Sequence, residues 1–558
     1  MKPVVILGGG INGAALAREL TVNRIPVHVV DLADIASGAT AYSSRLIHGG
    51  LRYLEHGDFR LVKESLAERT RLLTLARHLV KPLCLHVPST RRVGGLWAAA
   101  KRILGFQAKP ATRRGAWLVR MGLSLYDRYA KDSTLPKHTS MRTGADAAVP
   151  LDANKYPFQS AYWDAQVPYA ERLVVAVLED ARRAAEDNAV SFSVTPYGDS
   201  LLQGSTLFVR YVRGVPRHQV GVEFLPSLIV NATGAWLDSA LDRLEVSSPS
   251  QLINGTAGSH LLTVNTKLEG QLGGKGVYAE AQDGRPFFVL PFGRFTLIGT
   301  TDLAFDGDPR KARATDDEIS YLLDAVNGIF PTVGLLREDV SLQYCGVRPL
   351  PQNDSSDLGA ISRDHRIVEH EGASVPLISL VGGKLTTARA LAAEAAAMIA
   401  ARLNVPCKTT TESRALPGSV ELAKGSVEEQ PEKDKIAEST GHTPETVEAV
   451  WSLYGDETSV VLEECQQRWP TSAITLLPGT NLPEALARYA THHEWAYTID
   501  DLVSRRLMLL FQGPIRSELL QRLGEILAEE GIFDSNGIYA QVTACRNALN
   551  DRYGLQIS

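Results

Sequence analysis

A glycine-rich turn close to the start of the chain constrains the possible folds more than any other feature. Residues 4–31 read VVILGGGINGAALARELTVNRIPVHVVD, in which Gly8, Gly10 and Gly13 have the spacing G-x-G-x-x-G. The β-rich run before the glycines, the helical run after them and the second apolar run predict a strand–helix–strand unit. Such units build parallel sheets covered by helices, so the sequence predicts a Rossmann-like α/β domain.

The parts of this turn match the demands of a dinucleotide. Gly8 permits a tight turn, Gly10 lets the backbone approach a pyrophosphate, and Gly13 lets the helix pack closely on the strand. Asp31 closes the second apolar run, where a carboxylate can accept hydrogen bonds from a ribose. The spacing alone does not separate FAD from NAD, although Asn12 inside the turn favours a flavin.

Length and composition exclude several classes of function. The chain has 558 residues, which allows about three to five domains. Its net charge of −5 argues against general nucleic-acid binding. Five scattered cysteines without a CxxC pair indicate a reducing compartment and no metal site. The sequence has no uncharged apolar stretch of about 18 residues, so no transmembrane helix is expected.

Motifs further along the chain carry a more specific signal. They are, in order, SSRLIHGGLRYLE (Ser43–Glu55), NATGAW (Asn231–Trp236), GSH (Gly258–His260), IGTTD (Ile298–Asp302), GVRPL (Gly346–Leu350), SRD (Ser362–Asp364), GGKLTTAR (Gly382–Arg389) and HHEWAYTIDDLVSRR (His492–Arg506). In these motifs the chain resembles the FAD-dependent glycerol-3-phosphate dehydrogenases, within the D-amino-acid-oxidase-like flavoproteins. The resemblance spans nearly the whole sequence.

The resemblance implies an FAD site built from the glycine turn and from three later motifs. The expected cofactor-binding residues are Gly8, Gly10, Asn12, Gly13, Asp31, Thr40, Ser43, Ser44, His48, Gly49, Gly50, Ala232, Thr233, Gly234, Trp236, Gly383, Lys384, Leu385 and Thr386. In GGKLTTAR, glycine backbone N–H groups can face the flavin, and the following helix points its positive end the same way. Lys384 adds a full positive charge that favours a reduced flavin.

The same resemblance implies that several cations converge on the reactive face of the flavin. The expected substrate-binding residues are Arg52, Tyr53, Thr300, Arg348, Arg363 and Lys384. Four cations in one pocket suit a phosphate dianion, which arginine contacts in a bidentate manner. The hydroxyl groups of Tyr53 and Thr300 would form hydrogen bonds to phosphate or hydroxyl oxygens without adding charge.

The catalytic residues expected from the resemblance are His260, Arg348 and Lys384. His260 is the candidate base that removes the hydroxyl proton, because histidine titrates near neutral pH. Arg348 could instead stabilise the developing alkoxide, and the sequence leaves the two roles open.

The function implied by the resemblance is an FAD-dependent sn-glycerol-3-phosphate dehydrogenase. Hydride would pass from C2 of glycerol 3-phosphate to flavin N5, giving dihydroxyacetone phosphate, and the electrons would reach a membrane quinone. An oxygen-reducing glycerol-3-phosphate oxidase and a dehydrogenase of another polyol phosphate are the alternatives. The sequence leaves the oligomeric state open, a homodimer included.

Residues 91–131 hold ten Lys or Arg and one acid, with aromatic residues interleaved. This composition suits the interface of an anionic membrane. We therefore expect a cytoplasmic protein bound peripherally to the inner face of the cytoplasmic membrane. The alternative is a solvated basic loop that packs its aromatic residues inside.

The predicted fold class is α/β plus α, with the FAD-binding domain interleaved with a β-rich substrate domain and followed by an α-helical C-terminal domain. The FAD domain is expected at 1–75, 165–250 and 345–405, and the substrate domain at 76–164 and 251–344. A polar linker is expected at 406–432 and helices at 433–558. Thr443, before PETVEAVWSLYG, has the pattern of a helix cap.

Overall fold

The fold of the chain is given by a computed structural model, which describes residues 1–51, 58–92, 115–130, 132, 134–212, 221–246, 248, 250–352, 365–425 and 427–557. The strands are β1 (Val4–Leu7), β2 (Val27–Val30), β3 (Leu46–Ile47), β4 (Lys81–Ser89), β5 (Thr139–Arg142), β6 (Phe158–Gln166), β7 (Phe192–Thr195), β8 (Gly198–Gln203), β9 (Thr206–Tyr211), β10 (Val222–Phe224), β11 (Leu228–Asn231), β12 (Ile253–Thr263), β13 (Gly276–Glu280), β14 (Pro286–Phe292), β15 (Phe295–Gly299), β16 (Leu303–Ala304), β17 (Val340–Pro351), β18 (Arg366–His370) and β19 (Leu377–Val381).

Helices cover both sheets and form the last part of the chain. They are α1 (Ile11–Val22), α2 (Phe59–Leu75), α3 (Ala116–Ala130), α4 (Ala170–Asp187), α5 (Leu237–Arg243), α6 (Thr266–Leu272), α7 (Asp316–Asn327), α8 (Ala388–Arg402), α9 (Val420–Lys424), α10 (Glu429–Thr440), α11 (Pro444–Tyr454), α12 (Thr458–Arg468), α13 (Pro470–Ile474), α14 (Ala485–His493), α15 (Ile499–Asp501), α16 (Leu509–Gln512), α17 (Ser517–Glu529) and α18 (Ile538–Tyr553).

The glycine turn belongs to a sheet with the strand order β18-β19-β11-β1-β2-β7. Strands β19, β11, β1, β2 and β7 are parallel, and β18 is an antiparallel edge. Every residue of β1, β2, β11 and β19 is buried, as expected for parallel strands covered on both faces. Helix α1 packs against α4 and α8 on one face, while α5 and the β8–β10 hairpin sheet cover the other. The predicted Rossmann-like unit is confirmed.

A larger mixed sheet has the strand order β16-β12-β15-β14-β13-β4-β6-β3, with β17 paired to β12 and β5 to β6. Its strands alternate along the chain with those of the parallel sheet, which confirms the interleaved α/β class. Strand β17 continues to Pro351, so the large sheet extends beyond residue 344, where the sequence places a domain boundary. The individual boundaries remain predictions.

The C-terminal part of the chain is helical, as predicted. Helix α11 begins after Thr443, whose Oγ1 accepts a hydrogen bond from the N–H of Thr446, so the predicted cap is confirmed. A segment of π-helix, Leu502–Arg506, lies between α15 and α16. Within the described residues, no helix is both long enough and apolar enough to cross a lipid bilayer.

Candidate active site

A cavity of about 950 Å³ lies where the carboxyl ends of β1, β11 and β19 meet the large sheet. This is the edge at which parallel α/β sheets bind ligands. The lining residues fall within 7–12, 30–48, 198–200, 232–255, 305–313, 345–350 and 382–386, and include His260 and Arg552. The motifs of the sequence therefore meet around one space.

The glycine turn forms one wall of this cavity, and its three glycines have different reasons for lacking a side chain. A Cβ on Gly8 would lie 2.5 Å from the carbonyl oxygen of Ala232, and one on Gly13 would lie 1.9 Å from that of Gly8. A Cβ on Gly10 would meet only Thr40 Oγ1, at 3.6 Å. Packing therefore requires the outer two glycines. The space at Gly10, on the cavity wall before α1, fits a pyrophosphate at a helix N-terminus.

Asp31 links the end of β2 to the glycine turn. Its Oδ2 accepts a hydrogen bond from Gly9 N–H at 2.7 Å, and its Oδ1 accepts one from Ala33 N–H at 2.9 Å. Burial raises the pKa of Asp31 to about 6, against the effect of these two N–H groups. The carboxyl lies on the cavity wall, where it fits a ribose hydroxyl as a further partner.

His260 lies on β12, opposite Tyr344 of β17 and Gly299 of β15. Its ring stacks on Tyr344 with centroids 4.8 Å apart, and a Cβ on Gly299 would lie 2.3 Å from the imidazole. Its Nε2 shares a 2.8 Å hydrogen bond with Ser44 Oγ. Burial, and then the charges of Arg348 and Arg45, hold the pKa of His260 well below its ordinary value. The imidazole is therefore neutral at physiological pH.

Arg348 lies on β17, and its guanidinium is fixed by two side chains. Nη2 donates to Thr300 Oγ1 at 2.6 Å, and Nη1 forms a 2.9 Å ion pair with Asp302. A Cβ on Gly258 would lie 2.2 Å from Nη2, so the glycine makes room for the arginine. The side chain is 24% exposed on the cavity wall, which leaves a fixed cation facing the ligand space.

The GGKLTTAR motif crosses the end of β19 before α8. Gly382 and Gly383 have φ of 77° and 92°, in the left-handed region that favours glycine. The Gly382 carbonyl accepts a 3.1 Å hydrogen bond from Asn12 Nδ2, which ties this turn to the glycine turn. Thr386 Oγ1 accepts one from His48 N–H at 3.2 Å. Lys384 donates to Ser65 Oγ at 3.4 Å and lies on the cavity wall.

Most of the site residues expected from the sequence lie on this wall. They are Gly8, Gly10, Asn12, Asp31, Thr40, Ser43, Ser44, His48, Ala232, Thr233, Gly234, Trp236, His260, Arg348, Gly383, Lys384, Leu385 and Thr386. Four others lie outside the lining, namely Gly13, Gly49, Gly50 and Thr300. The expected Arg52, Tyr53 and Arg363 lie outside the described residues.

Gly49 shows why a loop residue can support the site without lining it. Its N–H donates to Tyr126 Oη at 2.9 Å, and a Cβ there would lie 2.5 Å from Leu66. Sequence reasoning missed three contacts: Asp302 on Arg348, Tyr344 under His260, and the side-chain bond from Ser44 to His260. The sequence motif IGTTD includes Asp302 as its last residue, but nothing in the sequence indicates that Asp302 pairs with Arg348.

Comparison with known proteins shows the class of enzyme to which this chain belongs. A family model described as FAD dependent oxidoreductase matches residues 3–398, and one described as the C-terminal domain of alpha-glycerophosphate oxidase matches residues 409–536. The glycerol-3-phosphate dehydrogenase of Bacillus halodurans, solved in complex with FAD, has the same fold with a TM-score of 0.72 and 21% identity, covering 99% of this chain and 95% of that one. The chain is therefore an FAD-dependent oxidoreductase.

Relatives narrow the class to a family. The glycerol-3-phosphate dehydrogenase of Synechocystis sp. is 32% identical over 522 residues, covering 90% of this chain and 88% of that protein. The aerobic glycerol-3-phosphate dehydrogenase of Escherichia coli is 30% identical over 519 residues, covering 90% and 93%. The D-erythritol 1-phosphate dehydrogenase of Brucella abortus is 31% identical over 503 residues, covering 90% and 93%. The chain belongs to the FAD-dependent glycerol-3-phosphate dehydrogenase and oxidase family, and its cofactor is FAD.

Proposed function

We propose that this chain oxidises sn-glycerol 3-phosphate at C2 to dihydroxyacetone phosphate and passes the electrons to a membrane quinone. One observation carries the proposal: a fixed guanidinium, Arg348, stands on the same cavity wall as a buried imidazole, His260. When bound, FAD supplies the hydride acceptor, its N5 atom. The protein's own part is to bind the phosphate, orient the alcohol and accept its proton.

Phosphate binding is the first part. Arg348 is oriented by Thr300 and Asp302, so its fork is already arranged for an anionic ligand. Lys384 adds a second cation on the same wall. We propose Arg52, Tyr53 and Arg363 as further contacts to the phosphate, from their motifs. An anion held in this way would hold the secondary alcohol inside the cavity that His260 also lines.

Proton acceptance is the second part. A neutral histidine can take a proton, and we propose His260 as this base, with Nε2 and Ser44 Oγ at 2.8 Å as the polar pair. The negative charge of bound phosphate would offset Arg348 and raise the pKa of His260 when the substrate binds. Arg348 would at the same time stabilise negative charge on the substrate oxygen.

The cofactor contacts in this proposal follow the wall described above. The residues proposed to bind FAD are Gly8, Gly10, Asn12, Asp31, Thr40, Ser43, Ser44, His48, Ala232, Thr233, Gly234, Trp236, Gly383, Lys384, Leu385 and Thr386. Gly13 and Gly49 support them by packing, and Gly50 by a backbone φ of 75°, which favours glycine.

The substrate test is reduction of the bound flavin without oxygen. We expect sn-glycerol 3-phosphate to bleach the flavin absorbance, and glycerol, which lacks the phosphate, to leave it unchanged. D-erythritol 1-phosphate is the second candidate, since a relative with that name is 31% identical over 90% of this chain. Faster reduction by D-erythritol 1-phosphate would reassign the substrate, and reduction by neither phosphate would refute both proposals.

The acceptor is tested by turnover of the reduced flavin. We expect a soluble quinone analogue to reoxidise it much faster than dissolved oxygen does. Faster reoxidation by oxygen would make the chain an oxidase instead.

We also propose a cytoplasmic location with peripheral docking on the inner face of the membrane through residues 91–131. Residues 93–114 and 131 lie outside the described residues. In α3, Trp117 and Met121 are 47% and 56% exposed, and Arg120 and Arg128 are exposed on the same helical face. Exposed apolar residues interleaved with cations suit the surface of an anionic membrane.

The docking test is sedimentation with anionic vesicles. The double variant Trp117→Ser and Met121→Ser should lose binding several-fold. The variant Tyr539→Ser, which changes an 81% exposed side chain on α18, should bind like the unaltered chain. Equal binding by all three proteins would contradict the docking proposal.

A further inference from the structure

We infer that the helical C-terminal domain positions the FAD-binding loop, so that FAD binding and docking of this domain stabilise each other. The link runs through Asp34 and Tyr197, residues that the proposed reaction does not use. It requires only that the chain binds FAD, and it stands apart from the identity of the substrate and the acceptor.

The first contact joins the loop after β2 to the π-helix. Asp34 is 1% exposed, and both of its oxygens accept from Arg506, at 2.7 and 2.8 Å. Arg505 Nε also donates to Asp34. Burial would raise the pKa of Asp34, but Arg506 and Arg505 outweigh it and hold the pKa below its ordinary value. The loop is therefore held by an ionised carboxylate between two arginines.

Helix α15, directly before the π-helix, carries two acids that help to balance these cations. Arg505 Nη2 contacts Asp500 at 2.8 Å and Asp501 at 2.9 Å. We call Asp34, Asp500, Asp501, Arg505 and Arg506 the docking cluster. Buried ion pairs hold a geometry when their charges and hydrogen bonds are all matched, and removal of one partner leaves an uncompensated charge.

The second contact lies on the turn before β8. Tyr197 donates from its hydroxyl to Asp501 Oδ1 at 2.5 Å. The backbone φ of Tyr197 is 58°, a conformation that residues other than glycine seldom adopt. Its N–H donates to the Ala33 carbonyl at 2.8 Å, and the next N–H, of Gly198, donates to the Asp31 carbonyl at 2.7 Å.

These contacts end at the cofactor cavity. Asp31, Leu32 and Ala33 line it, and so do residues 198–200, which the Gly198–Asp31 hydrogen bond holds beside them. The Ala33 N–H that fixes Asp31 Oδ1 is adjacent in sequence to Asp34. Release of the docking cluster would therefore free both the loop that carries Asp31 and the turn that is hydrogen-bonded to it. By linkage, whatever factor docking adds to FAD affinity, FAD adds to docking.

The first test compares two variants by the rate at which FAD leaves the full-length holoenzyme, followed by flavin fluorescence. Tyr197→Phe removes only the hydroxyl that bonds Asp501 and lies 3.4 Å from Thr498 Oγ1. It should speed FAD release about ten-fold, the value of one hydrogen bond to a charged group. The control is Glu457→Gln, which breaks the pair between Arg183 of α4 and the helical domain at a place away from the cavity. It should change the release rate less than two-fold.

The second test needs no variant, so it holds even if Tyr197→Phe does not fold. Hydrogen exchange of the unaltered chain, with and without FAD, should show slower exchange with FAD for amides of 498–512, which do not line the cavity. Unchanged exchange in that segment would overturn the inference. Equal release rates for Tyr197→Phe and Glu457→Gln would overturn it as well. Neither measurement uses a substrate, so either can fail while the proposed reaction holds.

Discussion

Two groups of charged side chains in this molecule differ in how their charge is matched. In the docking cluster the two arginines and two of the three acids have side chains 4% exposed or less, and each arginine meets at least one carboxylate. Around the cavity, Arg348 is 24% exposed and pairs with Asp302, itself 20% exposed. The charges of the first group are matched by other side chains of the protein, including Arg552 on Asp500, whereas the second faces a space that a ligand can fill.

The difference shows what separates a structural arginine from a binding arginine. A buried guanidinium must be neutralised by the protein, since an unmatched charge there costs several kcal/mol. A guanidinium on a cavity wall keeps water as a partner until an anion replaces it. The first two predictions below test this contrast and the third tests the carboxyl of Asp31 on the same cavity wall; they run from the largest expected effect to the smallest.

Arg348→Met should lower kcat/KM for glycerol 3-phosphate by roughly 10³- to 10⁴-fold, because it removes a fixed cation from the substrate phosphate and the reacting oxygen. Steady-state kinetics with a quinone analogue measures this, and the visible flavin spectrum shows that FAD remains bound. Arg348→Lys, which keeps the charge but loses the fork, should recover part of the rate. A ten-fold loss or less would place Arg348 outside the binding machinery.

Arg506→Met should lower the free energy of unfolding by about 3–5 kcal/mol, because Asp34 would stay buried with part of its charge unmatched. Urea unfolding of the holoprotein measures it. The control is Arg402→Met, which breaks a pair with Glu369 whose two side chains are 45% and 51% exposed and which should cost less than about 1 kcal/mol. If the two variants lose similar free energies of unfolding, buried matched charges and exposed ion pairs do not differ in the way proposed.

Asp31 should make FAD affinity depend on pH. Burial raises its pKa to about 6, so the carboxylate that accepts hydrogen bonds is lost as the pH falls through that value. If only the ionised form holds FAD well, affinity at pH 5 should be about ten-fold weaker than at pH 8.

The FAD-free protein should respond to pH with the opposite sign. A folded-state pKa above the unfolded value means that Asp31 loses stabilisation as the pH rises between about 4 and 6. For the unaltered chain and for Asp31→Asn, urea unfolding of the FAD-free protein at several pH values measures this effect, and titration of FAD binding measures the effect on affinity. A pH dependence that persists in the variant would assign the titration to another group.

Local spacing was enough to predict the parts of the site that neighbouring residues build. Gly8, Gly10 and Gly13 and the strand before Asp31 form one continuous unit, so their positions follow from the backbone geometry of a strand, a turn and a helix. The family resemblance then located His260 and Arg348, which no short pattern could have paired.

The remaining contacts depend on how distant segments pack. Ser44 meets His260 across 216 positions, and only the register of β12 shows that Gly258 and Gly299 leave space for functional side chains. The motif that ends in Arg505 and Arg506 was recognised in the sequence, but its partner Asp34 was not. A polar contact between two domains does not change the helix or strand periodicity of either sequence segment, so sequence patterns cannot predict it.

The distance between Asp34 and Arg506 also bears on how the protein is made. The two residues are 472 positions apart, so at roughly 5–20 residues per second Asp34 is synthesised about 25 to 95 seconds before Arg506. The last strand of the parallel sheet, β19, is complete long before then. A newly made chain can therefore form its parallel sheet early. Asp34, beside the nucleotide site, can meet Arg506 only after most of the helical C-terminal domain has been synthesised.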